Sequence, residues 1–281
     1  MKKRVPTIFI IVIFVAGLAV LLYPKVANYI YEKNSAKIIR QYNGEVSGLV
    51  NERIQKEKEE AIQYNKNLVG SNVDLIDPFD KSGNGVMDNK YEDMLDISSV
   101  MAYLEIPVIN IKLPVYHGTD DNTLRKGIGH LESTSLPIGG ESTHAVLSGH
   151  SGMPGTEQFT NLDRLKEGNI FRIYVLDEIL TYQVYNIEVV EPKNVASLKI
   201  VNGEDYVTLV TCTPYGVNSH RLLVHGRRIQ EDSSLSEPNI DRKFSMEDII
   251  IFVFFIFMMI LLYFIKKKKK YRKVGKHEKI D

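Results

Sequence analysis

Cys212 is the only cysteine among 281 residues, and it closes the run TLVTC before the turn-forming TPYG. A lone thiol has no partner for a disulfide within the chain, so it is either a small buried hydrophobe or a reactive group. A nucleophilic cysteine needs a base or a cation that favours the thiolate, and a donor for the oxyanion that develops on the attacked carbonyl. His150 ends AVLSGH, where an apolar run breaks into SGMPG, and Arg221 opens RLLVHG nine residues after the cysteine. Histidine can carry the proton, whereas arginine stays charged and can only donate hydrogen bonds. On residue type alone His144, His220 and His225 rival His150, and the choice between an inert and a reactive Cys212 stays open. One cysteine with scattered histidines has no structural-zinc spacing, and the chain carries no HExxH, GxSxG or GKS/T motif.

The elements that must hold these residues are short and β-rich. MAYLEIPVINIKLPVYHG, THAVLSGH, NIFRIYVL, ILTYQVYNIEVV, DYVTLVTC and RLLVHGRR follow one another from Met101 onward, separated by turn residues. That texture predicts an all-β barrel or sandwich, with Pro107 and Pro114 at strand ends or edges. Two antiparallel strands joined by the eight-residue TPYGVNSH would set Cys212 and Arg221 at one end of a sheet. A short helix is predicted at Phe159–Leu165. Ahead of the strands, residues 32–68 read as helix from the spacing of Ile39, Tyr42, Val46, Leu49, Ala61, Tyr64 and Leu68, either unbroken or bent. The following SNVDLIDPFDKSGNGVMDNK reads as a loop, yet it carries Leu75, Ile76 and Phe79, which have little use in a solvated linker.

The ends of the chain set its topology. Val5–Tyr23 is apolar apart from Pro6 and Thr7, and follows MKKR. Ile249–Ile265 carries no charge and is followed by KKKKKYRK. Each is near the length that crosses a bilayer, and the basic flanks belong on the cytoplasmic side. An uncleaved anchor fits the first segment better than a signal peptide, because no small-x-small cleavage site follows it. The predicted organisation is a cytoplasmic start (1–4), a transmembrane helix (5–24), an extracellular helical region with a loop at about 71–90 (25–100), a β domain (101–228), a linker (229–248), a second transmembrane helix (249–265) and a basic cytoplasmic tail (266–281). The protein is therefore expected in the cell membrane as a two-pass chain with both termini inside. The basic tail can also touch anionic lipid. Zero formal net charge gives no reason to expect a nucleic-acid partner.

These residues resemble the sortases, membrane-anchored cysteine transpeptidases of Gram-positive bacteria. TLVTC matches the TLxTC signature, with Cys212 as the nucleophile; SGHSG supplies the family histidine as His150, and HRLLVHGRR supplies the arginine as Arg221. The chain is similar in particular to class C, the pilin-polymerising sortases, which have a second C-terminal span and a DP-aromatic motif in a lid. Here that motif is Asp77, Pro78 and Phe79, with phenylalanine where the class often has tryptophan.

The resemblance implies a mainly β fold, a closed eight-stranded barrel with an N-terminal helical segment and a lid loop. It implies cleavage of a Leu-Pro-x-Thr-Gly-like sorting signal between Thr and Gly through a thioacyl intermediate. The implied partners are pilins or other surface proteins with C-terminal sorting signals, and a pilin lysine amine that accepts the acyl group as an isopeptide. Phe79 would cover Cys212, Asp77 would pair with Arg221, and Thr211 would orient substrate or simply fill a strand. No metal or organic cofactor is implied. Two other functions compete: a sortase that anchors surface proteins to the cell wall, and a silent membrane adhesin or pilus chaperone. An intact Cys212, His150 and Arg221 weigh against the latter.

Overall fold

The computed structural model describes residues 5–71, 75–80 and 89–230. The second apolar segment, the basic tail, nearly all of the linker and part of the lid loop lie outside the described residues.

The N-terminal region is helical, as the periodicity predicts. Helix α1 (Val5–Gly48) runs without a break through Pro24, so the apolar segment and the helix that follows it are one element. Within it lies the one candidate membrane span among the described residues. Helix α2 (Asn51–Leu68) begins after a two-residue bend at Leu49 and Val50, just past Gly48. Both helices are fastened to the β domain by buried polar side chains. The Tyr42 hydroxyl donates to the Met101 carbonyl (3.2 Å) and accepts from the Leu176 N–H (2.8 Å). Asn65 donates to the Leu136 carbonyl (3.1 Å) and accepts from its N–H (2.7 Å). Pairing of this kind removes the cost of burying the tyrosine and amide groups. A single turn, α3 (Asn89–Glu92), leads into the barrel.

Eight strands then close on themselves: β1 (Ala102–Ile106), β2 (Ile111–His117), β3 (Ile128–His130), β4 (Thr143–Ser148), β5 (Ile170–Val175), β6 (Glu178–Val190), β7 (Asp205–Thr213) and β8 (His220–Arg228). Their order around the barrel is β1-β2-β3-β4-β7-β8-β6-β5. Closure leaves no open edge for another chain to extend. The two parallel pairings, β2 with β3 and β4 with β7, bring strands from distant parts of the sequence together.

Sequence reading missed β3, which is only three residues long, and α4 (Asp121–Lys126), whose start is capped by the Asp120 carboxylate accepting from the Asn122 and Thr123 N–H groups. The helix predicted at Phe159–Leu165 is a single 3-10 turn at Leu162–Arg164. The interior of the barrel is apolar, filled by residues such as Leu104, Ile106, Phe171, Ile173, Leu209 and Val224. A second, smaller cluster (Leu131, Val146, Leu198, Val210 and Leu223) lies apart from it, and Leu75 and Phe79 of the loop pack on that cluster.

Candidate active site

β7 and β8 are antiparallel, and Cys212 is the register partner of Arg221. The strands absorb Thr213 and His220, so the joining loop is shorter than the sequence suggests, with the same geometric result. Side chains of register partners project to the same face of a sheet, so the thiol and the guanidinium are neighbours, on the face that also carries Val210 and Leu223 of the second cluster. His150 reaches the same place from β4, which lies parallel to β7 and ends two residues earlier at Ser148. Cys212, His150 and Arg221 together line a cleft of about 580 Å³, along with Phe79, Asp120 and Met153. Distant segments of the chain thus converge on one site.

The loop segment 75–80 lies over this cleft. Asp77 grips Arg221 with both carboxylate oxygens, accepting from Nε at 2.8 Å and from Nη2 at 2.6 Å. Little of either side chain is exposed, 8% for Asp77 and 10% for Arg221. A planar bidentate contact of this kind is among the stronger charge-assisted hydrogen bonds. The remaining nitrogen, Nη1, donates to the carbonyls of Asn218 (3.2 Å) and His220 (3.1 Å). The guanidinium lies 5.1 Å from the Phe79 ring centre, and that ring packs against the His150 ring at 5.9 Å. Pro78 between them is buried. The predicted pairing of Asp77 with Arg221 is present, whereas Phe79, predicted to cover Cys212, packs on His150 and Arg221 and shares with the thiol only the lining of the cleft.

The electrostatics follow from the closed arrangement. Burial pushes the Cys212 thiol above its ordinary pKa; Arg221 pulls it back, and the Asp77 carboxylate adds to the rise. A cation beside a thiol normally promotes the thiolate. Here burial first, and the Asp77 carboxylate second, outweigh that cation and favour the thiol form.

The other residues singled out in sequence sit elsewhere. Thr211 is buried, and its hydroxyl donates to the Gly149 carbonyl at 2.7 Å, which ties β7 to the residue preceding His150. His220 is exposed at the start of β8. His144 and His225 are buried and share Thr208: its hydroxyl lies 2.7 Å from His144 Nε2 and 2.8 Å from His225 Nδ1. Residues that no motif pointed to also bear on the site. Asn218 contributes a carbonyl to Arg221, and Gln158 contacts the His150 backbone. Neither contact carries a local sequence signal, because each depends on how a loop folds back.

A family profile for the sortase domain matches residues 104–229, which is the barrel from β1 to the end of β8. The solved structure of sortase C1 of GBS pilus island 1 is 40% identical, with a TM-score of 0.67 over 73% of this chain and 97% of that one. Sortase C-1 from Actinomyces oris is 48% identical, with a TM-score of 0.61 over 64% of this chain and 99% of that one. Sortase D of Bacillus subtilis is 28% identical over 144 residues, 50% of this chain and 70% of that protein. The shared domain spans the whole barrel, and the identity to class C sortases holds over nearly their full solved length: the chain belongs to the sortase family.

Proposed function

We propose that the chain is a cysteine transpeptidase that joins pilin subunits, with Cys212, His150 and Arg221 as its catalytic residues and Asp77, Pro78 and Phe79 as its lid. The Cys212 thiol gives its proton to His150, and the sulfur attacks the Thr carbonyl of a Leu-Pro-x-Thr-Gly-like signal. A C–S bond forms, the carbonyl π electrons move to oxygen, and the Arg221 guanidinium donates to that oxyanion. The tetrahedral species collapses with cleavage of the C–N bond, and His150 protonates the departing Gly amine. A lysine amine of another pilin then attacks the thioacyl carbon and gives up a proton to His150. An isopeptide bond forms as the C–S bond breaks and the thiol is restored. Every proton released is taken up within the cycle, and no atom changes oxidation state, so the transfer needs no redox partner.

The observation that carries this reading is the register pairing of Cys212 with Arg221 in a cleft also lined by His150. The bidentate contact of Asp77 supports the lid assignment, because it occupies the donors that the oxyanion needs. The class C sortases among the structural neighbours, one of them from a pilus island, favour pilin as substrate. The candidate span within α1 supports membrane attachment. The apolar segment at 249–265 supplies the second crossing, which leaves both termini cytoplasmic and the barrel outside. The basic tail then lies against the inner leaflet.

Mass spectrometry of the full-length chain mixed with candidate pilins tests the proposal. The expected products are a Cys212 thioacyl adduct and a pilin pair joined from Thr to Lys. Transfer only to a peptidoglycan cross-bridge amine would replace polymerisation with cell-wall anchoring. No adduct with any sorting-signal substrate would remove the transpeptidase reading.

A further inference from the structure

His150 lies just beyond β4, outside any strand, so strand pairing does not fix its position. Its neighbourhood is nevertheless held closely. The preceding Gly149 donates to the Val210 carbonyl (3.1 Å) and accepts from Thr211 (2.7 Å). A Cβ at Gly149 would meet Ile128 and the Phe159 ring at 2.8 and 2.9 Å, so only glycine fits without displacement. The His150 carbonyl accepts from the Phe159 N–H at 3.0 Å, and the His150 N–H donates to the Gln158 side-chain oxygen at 3.0 Å.

Gln158 is 2% exposed and spends its whole amide on three segments of the chain. Its Nε2 donates to the Leu124 carbonyl of α4 at 2.8 Å and to the Tyr31 hydroxyl of α1 at 2.9 Å. The orientation of the amide is fixed by these partners: a flipped amide would set nitrogen against the His150 N–H and oxygen against the Leu124 carbonyl. Two further contacts seat the same segment on α1. The Glu157 N–H donates to Asn28 at 3.0 Å, and Gly155, at φ +86°, comes so near that a Cβ there would lie 2.9 Å from the Ala27 methyl.

We infer that Gln158 is a positioning residue for His150, and that through Tyr31 it couples that histidine to α1, the helix that contains the candidate membrane span. The inference rests on the proposed proton-carrying role of His150. One buried side chain then transmits the seating of the anchor helix to the group that must move the proton, and the barrel is most active when docked on its own anchor.

The test uses the full-length chain in detergent micelles with a short Leu-Pro-x-Thr-Gly peptide and an amine acceptor. Folding is checked by circular dichroism, and amide hydrogen exchange is followed at His150. Gln158→Met keeps the length and loses all three hydrogen bonds. It should lower kcat by about 10- to 100-fold, leave KM within about twofold, and speed exchange at His150. Tyr31→Phe should lower kcat less, by roughly two- to fivefold, because two of the three bonds survive. Gln158→Glu should work best at mildly acidic pH, where a buried carboxylic acid stays neutral and can both accept from His150 and donate to Leu124. Its rate relative to the unaltered chain should fall as pH rises, while that of Gln158→Met stays flat.

A folded Gln158→Met chain with unchanged kcat and unchanged exchange at His150 would overturn the inference. If that variant fails to fold, the pH dependence of Gln158→Glu decides the positioning role; a flat ratio overturns it. Unchanged kcat in Tyr31→Phe overturns the coupling to α1. Failure of the unaltered chain to transfer any acyl group counts against the transpeptidase reading instead, and exchange at His150 in Gln158→Met still reads the positioning claim.

Discussion

Strand β7 carries two polar clusters on one face, and they are satisfied in opposite ways. At Thr208 the partners all belong to the β domain. His144 of β4 is held between the Thr208 hydroxyl and the Lys199 carbonyl (2.9 Å), and His225 of β8 lies between Thr208 and the Glu188 carboxylate of β6 (3.1 Å). Four residues later, roughly 13 Å along the strand, Cys212 and Arg221 take their decisive partner from outside the barrel, in the segment that carries Asp77 and Phe79. The histidine cluster is held by side chains of four strands and one backbone carbonyl, all within the β domain, so it cannot exchange partners without disturbing that domain. A cluster closed by a loop can, and a substrate must do just that to reach Arg221. The contrast sets the buried His144 and His225 apart from the cleft that Asp77 and Phe79 cover.

The largest effect that would sharpen this contrast is loss of the thiol. Cys212→Ala should abolish acyl transfer while the melting temperature stays near that of the unaltered chain, since a half-buried sulfur contributes little packing. Arg221→Lys keeps the charge and loses the planar fork. Transfer should fall by about 10²- to 10³-fold, the usual consequence of removing an oxyanion donor. Full activity in either variant would break the assignment of roles.

The buried cluster should respond in stability. Thr208→Val removes the hydroxyl shared by two histidines and should destabilise the fold by about 1–3 kcal/mol in denaturant titration. Wild-type stability in that variant would mean the cluster is not closed as described. Burial also holds His144 and His130 down to about 4. Their folded pKa lies below the ordinary value, so the unfolded chain binds more protons between pH 6.5 and 4. The stability due to these groups is complete above pH 6.5 and is lost as pH falls toward 4, on the order of 3 kcal/mol for each histidine. Thermal melts across that range should decline on the acid side, and replacing His144 with Gln should flatten the decline. Melts independent of pH would contradict the buried neutral state.

The smallest expected effect concerns the lid. Replacing Asp77 and Phe79 with Ala removes the carboxylate that raises the thiol pKa and the ring packed on His150. Alkylation of Cys212 should speed by several-fold, in proportion to the open, ionised fraction. Equal rates in two folded proteins would return the segment to a purely structural role.

Much of this arrangement was legible in the sequence because it is local or lies in strand register. Cys212 and Arg221 flank one hairpin, so β-rich runs and a turn were enough to pair them. The three apolar residues in the loop announced packing; Leu75 and Phe79 do pack on the second cluster, whereas Ile76, expected to pack with them, is exposed. What escaped notice depends on contacts between distant residues. β3 is three residues long and exists because β2 and β4 are there to receive it. Gln158 sits in a turn-rich stretch with no periodicity, and its value comes from a helix 127 positions earlier in the chain. The separation of His150 from His144 and His225 likewise rests on burial and partners, which residue type does not reveal.

The central claim is that Cys212 carries the acyl group once the lid has opened. Its most direct test is tandem mass spectrometry of the full-length chain quenched in acid during turnover of a Leu-Pro-x-Thr-Gly peptide. The account predicts a thioester of the peptide's Thr on Cys212, more abundant in the Asp77→Ala, Phe79→Ala chain than in the unaltered one, and absent from Cys212→Ala. Cleaved and transferred peptide with no acyl group on Cys212, or from a chain that lacks the thiol, would contradict it.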